Sequence, residues 1–269
     1  MSEIIRLNDE PSFAQRWDIC LYRYLYPEID EKFGDPKYVS ELEELFSQLG
    51  ITKQSKILDT CSGSGFPSLH LLQRGYSVDC MDPSEDQIKL FQQKAEAMRV
   101  ATQLQRSTWL EIPENYQRES YDLLLCRGNS FIYAAGGWNE PQDVNETESL
   151  QLYERTLRIF YESLRGGGFL YVDKFKDNEE DVETTFARIL INDEPVELTF
   201  SHQINEESNT RQVHFFTKRS NGTKEGVPNI TYSLSEQELT QLLGQVGFKK
   251  INKLEIETEK YFSAYLAQK

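Results

Sequence analysis

Along this 269-residue chain the spacing of apolar residues switches between the period of helices and the period of strands. Residues 12–50 read as helical. Aromatics crowd Phe13, Trp17, Tyr22, Tyr24 and Tyr26 until Pro27 interrupts. Lys37–Leu49 then sets Leu42, Leu45, Phe46 and Leu49 on one face, with Gly50 closing the helix. From residue 56 strands and helices alternate. Strands are expected at Lys56–Asp59, Ser77–Met81, Tyr121–Arg127 and Gly168–Lys174, and helices at Pro67–Arg74, Glu85–Met98 and Glu148–Leu164. Alternating βα units of this length predict an α/β fold: a Rossmann-like, mostly parallel sheet with helices on both faces. Past residue 190 the pattern becomes polar–apolar alternation, at Val196–Gln203, Thr210–Arg219 and Ile230–Ser233, with a turn at Asn221-Gly222. The acidic run Asp177–Glu183 reads as a solvated loop or a helix start. The end returns to the sheet through a helix at Ser235–Gln245, opened by the capping box Ser235-Glu-Gln-Glu238, and strands near Lys249–Glu257 and Tyr261–Ala267, the last one antiparallel. The predicted organisation is a helical N-terminal lid (1–50), a core (51–190 and 234–269) and a small antiparallel insertion (191–233) over the site.

The chemistry concentrates in Lys56-Ile-Leu-Asp-Thr-Cys-Ser-Gly-Ser-Gly-Phe-Pro67 and Val78-Asp-Cys-Met-Asp82. An apolar run ends in an acid, turns through glycines and restarts as a helix, and a second apolar run again ends in an acid. Gly63 and Gly65 can take positive φ and let a ligand approach the backbone. The following helix offers unpaired N–H groups to an anionic group, with Pro67 suited to its first turn. At the end of the second strand, the Asp82 carboxylate can accept both ribose hydroxyls of an adenosine. NAD enzymes share this geometry, but their fingerprint wants a third glycine where this chain has Ser68.

Composition narrows the partners. Lys and Arg number 29 against 44 Asp and Glu, a net charge of −15, which repels phosphate backbones and anionic lipid. Neither nucleic acid nor a membrane is expected as a partner. Cys20, Cys61, Cys80 and Cys126 are widely spaced and only His70, His202 and His214 accompany them, so no metal is expected. No apolar run approaches the roughly 20 residues that span a bilayer, and the N-terminus lacks a signal-peptide pattern, which reads as cytoplasmic.

Asp59-Thr-Cys-Ser-Gly-Ser-Gly65 resembles the first motif of class I S-adenosylmethionine-dependent methyltransferases. Met81-Asp82-Pro-Ser resembles their second motif, Tyr121-Asp122-Leu-Leu-Leu-Cys their fourth, and Leu164-Arg-Gly-Gly-Gly168 the loop before their fifth strand. Thr108-Trp109 and Cys126-Arg-Gly-Asn-Ser-Phe131 look like the glycine N-methyltransferase group, and the 194–233 hairpins resemble that group's extra sheet. The resemblance implies S-adenosyl-L-methionine as cofactor and S-adenosyl-L-homocysteine as product. It places Asp59, Cys61, Gly63, Ser64, Gly65, Asp82, Pro83, Gln87, Thr108, Trp109 and Arg127 around the cofactor. Cys61 stands where the superfamily usually has glycine. In-line displacement at a sulfonium needs little acid–base help beyond orientation. Arg127, Asn129, Tyr133 and Asp173 are candidates to orient the acceptor, with Tyr22, Tyr24 and Tyr26 on the N-terminal segment.

The resemblance also carries a departure. Glycine-methylating enzymes place an arginine two residues after the acid ending strand five, where this chain has Phe175 after Asp173-Lys174. Either Lys174, Lys176 or Arg127 takes over the acceptor's anion, or the acceptor has none. The expected function is methyl transfer to nitrogen of a small-molecule amine, a cationic amine included. Oxygen acceptors come next, then protein or RNA acceptors. The rivals from other classes are an NAD-dependent oxidoreductase and a non-catalytic S-adenosylmethionine-binding module.

Overall fold

The computed structural model describes residues 4–25, 37–116, 118–136, 144–177 and 182–269. Tyr26, Pro27 and most of the acidic run 177–183 lie outside them. In chain order, the strands are β1 (Arg6–Leu7), β2 (Lys56–Asp59), β3 (Ser77–Asp82), β4 (Leu104–Arg106), β5 (Tyr121–Cys126), β6 (Leu164–Phe175), β7 (Val182–Ile191), β8 (Glu194–Asn205), β9 (Thr210–Lys218), β10 (Lys224–Glu225), β11 (Asn229–Tyr232), β12 (Lys249–Leu254) and β13 (Phe262–Gln268). The α-helices are α1 (Phe13–Cys20), α2 (Lys37–Leu49), α3 (Ser68–Gln73), α4 (Glu85–Met98), α5 (Ile112–Asn115), α6 (Glu146–Ser163) and α7 (Glu236–Val246).

Seven strands form the main sheet in the order β12-β13-β6-β5-β2-β3-β4. β4, β3, β2, β5 and β6 pair in parallel, and β13 runs antiparallel to both β6 and β12. The apolar runs in β2 and β5 are continuous because both faces are covered. Ile57, Leu123 and Leu125 point to the layer of α2, α3 and α4, whereas Leu58, Leu124 and Cys126 point to α6 and α7. α7 opens on the capping box read from the sequence. Ser235 N–H donates to Glu238 Oε2 at 2.8 Å and Glu238 N–H donates to Ser235 Oγ at 3.1 Å. Gly247 at φ +117° ends it.

The second sheet has six strands, β1-β7-β8-β9-β10 with β11 also on β9. It begins at Val182, ahead of the 191 boundary drawn from the sequence, because β7 pairs along its length with β8. β1 adds a short parallel edge to β7. Ile189, Ile191, Val196 and Leu198 form a core of its own, against which Ile5, Leu7 and Ile19 pack. α1 lies between α4 and the second sheet, with Phe13 and Trp17 set edge-on to Phe215 of β9, ring centroids 5.6 and 5.3 Å apart. A π-helical turn, Leu21–Leu25, continues α1. Among the described residues, no helix is long and apolar enough to cross a membrane.

Candidate active site

The site is assembled where β2, β3 and β5 end. After Asp59 the chain turns through Gly63 at φ +52° and Gly65 at φ +110°. The two glycines serve different purposes. A Cβ on Gly65 would stand 2.4 Å from Leu69 Cδ1, so packing excludes a side chain there. A Cβ on Gly63 would meet nothing nearer than 3.8 Å, so that position is left open toward a cavity. Asp59 is buried and spends its oxygens on the turn, accepting from Cys61 N–H at 3.2 Å and Ser68 Oγ at 2.5 Å. Ser68, the residue that departs from the dinucleotide fingerprint, is therefore the hydroxyl that fixes the acid of the first strand.

Asp82 closes the other side of the turn. Its carboxylate accepts from Gly63 N–H at 3.0 Å and Ser84 N–H at 2.9 Å. Burial pushes its pKa up to about 6, against the pull of those two N–H groups. Next to it Gln87 is 2% exposed, with an Oε1 that has no hydrogen-bond partner and lies toward Gly63. A buried orphan acceptor beside an open glycine and a carboxylate is a place prepared for donors from a ligand. Trp109 forms a wall: its indole N–H donates to the Thr60 carbonyl at 2.7 Å and its ring stands edge-on to Phe160. Thr108 caps the short helical turn that carries it.

A cavity of about 350 Å³ joins these groups, lined by Gly63, Asp82, Pro83, Gln87, Thr108 and Trp109 on one side. Trp17, Ser130, Tyr133 and Gly136 line the other, with Thr60 and Cys61 between. A second cavity of about 40 Å³ adjoins it under Trp17 and Leu21, reaching Asp59, Ser64, Phe66 and Arg127. The fit to an adenosine is direct: a carboxylate and an amide oxygen for hydroxyl donors, an indole wall, and a turn with no side chain in the way.

The loop after β5 forms the far wall. Asp173, at the end of β6 and fully buried, accepts from Gly128 N–H at 3.0 Å and Asn129 N–H at 2.7 Å. It holds a turn in which Gly128 and Asn129 both have positive φ. Burial pushes its pKa up to about 6, opposed by the Arg127 guanidinium. Asn129 Oδ1 in turn accepts from Phe175 N–H. Arg127 is buried, donating from Nε to Tyr38 OH at 2.5 Å and pairing with Glu259 at 3.4 Å, its guanidinium 4.2 Å from the Tyr38 ring centre. Tyr133 is half-buried, hydrogen-bonds Asn229 of β11, and has its pKa raised by burial, so its phenol stays protonated at neutral pH.

Of the residues proposed from the sequence, Tyr24 lines neither cavity; its ring stacks on Tyr261 and Phe200. Trp17 lines both. On an ideal α-helix two residues seven apart share a face, but the π-helical turn from Leu21 rotates Tyr24 off the Trp17 face. Phe175 is 3% exposed in an aromatic box with Phe262, Phe200 and His202, and Arg211 of β9 holds its guanidinium 5.6 Å from the ring. Lys174 is buried, donating to Phe175 O and to Asp177, and Lys176 donates to Lys260 O. Thr60 and Ser130 line the cavity from inside motifs read in the sequence, though neither was singled out there, and Gly136 lies outside those motifs. Trp17 had a signal in the aromatic density of its helix.

The sheet order, the glycine turn and the paired acids define a class I methyltransferase core, and comparison with known proteins agrees. Residues 57–139 match the methyltransferase domain family. A glycine/sarcosine N-methyltransferase of Aphanothece halophytica is 23% identical over 163 residues, 60% of this chain and 52% of that enzyme. This chain thus spans about half of its length. A putative methyltransferase of Geobacillus sp. is 24% identical over 238 residues, covering 84% of this chain and 87% of that one. The crystal structure of a S-adenosylmethionine-dependent methyltransferase from Clostridium acetobutylicum superposes with TM-score 0.66 at 14% identity, covering 94% of this chain and 97% of that one. Residues 57–139 thus match a methyltransferase domain, and the relatives and the fold together support a class I S-adenosylmethionine-dependent methyltransferase.

Proposed function

We propose that this protein transfers a methyl group from S-adenosyl-L-methionine to the nitrogen of a small-molecule amine. One observation carries the reading: a single cavity connects Asp82, Gln87 and Trp109 to a second set of walls, Trp17, Ser130 and Tyr133. The first set suits the adenosine and the second an acceptor. The cofactor supplies an activated methyl on a sulfonium, so the protein's task is to bind, align and keep water out.

The electrostatics favour an acceptor that is neutral or cationic. Asp59, Asp82, Asp173 and Glu259 are all buried around the site, with Arg127 as their cationic counterpart, and Arg127 is engaged by Tyr38 and Glu259. An amine that sheds its proton before transfer suits such a field better than a carboxylate does. Tyr133, protonated and tied to Asn229, would orient the nitrogen through its phenol oxygen, with Ser130 beside it. The N-methyltransferase named above supports nitrogen as the acceptor atom.

Calorimetric titration with S-adenosylmethionine and S-adenosylhomocysteine, with NAD as control, tests the cofactor half. Micromolar binding of the sulfur compounds and none of NAD is expected. A screen of amines for S-adenosylhomocysteine formation tests the acceptor half. If only hydroxyl compounds are turned over, nitrogen is the wrong atom.

A further inference from the structure

Asp18 sits at the joint between the N-terminal helix and the cofactor turn. Its carboxylate accepts from Ser64 Oγ, within the glycine turn, and from Lys94 Nζ of α4 at 2.5 Å. Lys94 also donates to Ser64 Oγ at 3.2 Å and lies 4.1 Å from the centre of the Tyr22 ring, on the turn that follows α1. The Asp18 and Lys94 side chains are only 16% and 27% exposed. The preceding residue, Trp17, is the wall common to the 350 Å³ and 40 Å³ cavities. Its ring reaches to 3.5 Å from where a Cβ on Gly128 would stand. Its other contact, with Phe215, belongs to the second sheet.

The smaller cavity lies between Trp17, Leu21 and the turn, on the Asp59 and Arg127 side of the site. At about 40 Å³ it has room for roughly one water. An amino-acid tail reaching from the larger cavity toward Arg127 would lie against Trp17, the wall that the two cavities share. What holds Trp17 in place on that side is the Asp18–Ser64–Lys94 cluster.

We propose that Asp18 is a positioning residue of the transfer site: by gripping the glycine turn and α4 together it seats Trp17 over the amino-acid end of the bound cofactor. This rests on the methyltransferase reading above. The grip acts chiefly through the tail, which lies toward the smaller cavity, so a ligand that lacks the tail should feel it far less. Adenosine occupies only the side formed by Asp82, Gln87 and Trp109.

The test compares wild type with Asp18→Asn, Lys94→Gln and a control, Gln15→Ala. The control removes the capping box that Ser12 and Gln15 form at the start of α1 and leaves the Asp18 cluster intact. Stopped-flow tryptophan fluorescence gives association and dissociation rates for S-adenosylhomocysteine and for adenosine. In both cluster variants S-adenosylhomocysteine should dissociate about tenfold faster, as expected on losing one partner of a sheltered charge pair. Its association should not slow. Adenosine rates should stay within about twofold of wild type, and Gln15→Ala should leave both ligands unchanged. Unaltered S-adenosylhomocysteine dissociation in the cluster variants overturns the proposal, as does an equal change for adenosine. In either case tight binding by wild type leaves the methyltransferase reading standing. Failure of wild type to bind S-adenosylhomocysteine at all removes that reading and this proposal together.

Discussion

Cys61 and Arg127 are joined through the sulfur of one and both main-chain atoms of the other. Arg127 N–H donates to Cys61 Sγ at 3.1 Å, and the thiol lies 3.4 Å from Arg127 O, to which it can donate. The two residues stand on the loops that follow β2 and β5, so the sulfur ties the glycine turn to the loop that forms the far wall of the cavity. A glycine at 61 would take the sulfur away from the Arg127 N–H. Cys61→Ala is therefore expected to lower stability by about 1–2 kcal/mol, the usual cost of removing one partner of a hydrogen bond. Cys61→Ser, which keeps a donor and an acceptor, should cost less. Urea denaturation of both variants measures this; equal stabilities would mean that the sulfur contributes only bulk.

The glycines of the turn should separate in their effects. Gly65→Ala meets Leu69 at 2.4 Å and Phe91 at 3.2 Å in a left-handed backbone, and overpacking of this kind costs about 3 kcal/mol with the φ penalty included. Gly63→Ala adds only the φ penalty, about 1 kcal/mol. It does, however, put a methyl group beside the cavity and Gln87 Oε1, so S-adenosylhomocysteine affinity should fall about tenfold or more. Melting temperature and calorimetry on the pair decide between the two roles. A large melting-temperature drop for Gly63→Ala with unchanged affinity would reverse the assignment.

Phe175→Arg should unfold the protein locally and not create a binder of carboxylated amines. The side chain lies in an aromatic box with Phe262 at 4.9 Å and His202 at 5.4 Å, and a guanidinium, that of Arg211, already faces its ring. A second buried cation there is expected to cost about 3 kcal/mol or more. Denaturation and glycine turnover in the same preparation check it. A stable variant that gains glycine turnover would show that the box opens onto the acceptor.

Much of this was legible in the sequence because period and turn chemistry coincide in the main sheet. β2 and β5 are continuous apolar runs, each ending at a residue that must bend, and α7 carries its own cap. The glycine turn was legible for the same reason, since Asp59, Gly63, Gly65 and Asp82 each answer a backbone requirement of that turn. What was not legible depends on distant partners. β7 is a strand because β8 and β1 flank it, yet its own start is acidic and reads as loop. Asp173 read as a residue for the acceptor, and its local sequence gives no hint that Gly128 and Asn129 take up its oxygens. Aromatic density marks Trp17 and Tyr24 alike, and the π-helical turn that separates their faces leaves no mark in spacing.

Asp173 supplies a prediction from that same relationship. An amide in its place offers one acceptor where two N–H groups converge at 3.0 and 2.7 Å, and turns an N–H₂ toward the other. Asp173→Asn should lose about 2 kcal/mol of stability. It should also loosen the positive-φ turn that carries Arg127's neighbours, lowering turnover more than S-adenosylhomocysteine affinity. A variant of full stability whose activity merely shifts along the pH axis would make Asp173 a proton acceptor and not a turn clamp.

The pH dependence should split binding from stability at Asp82. Burial raises its folded pKa to about 6, whereas an unfolded aspartate titrates near 3.8. Between those values the folded form keeps a proton that the unfolded chain has lost. Ionising Asp82 therefore costs stability as pH rises through about 4 to 6, by about 1–3 kcal/mol, and the cost is constant above that. His70, whose pKa burial and then Lys94 push down to about 4, works in the opposite direction over an overlapping window, and His214 is likewise lowered by burial. The Asp82 part is thus read as the difference between wild type and Asp82→Asn. The ionised carboxylate accepts ribose hydroxyls more strongly than the acid does, so S-adenosylhomocysteine affinity should rise across the window in which the unliganded fold loses stability. Calorimetry and denaturation from pH 4.5 to about 7.5 should show both slopes in wild type. In Asp82→Asn the affinity should be weaker and depend less on pH, with Asp173 still titrating in that window, and the stability should no longer carry the Asp82 share. A pH-independent wild-type affinity would mean that Asp82 meets the cofactor, if at all, without changing its charge.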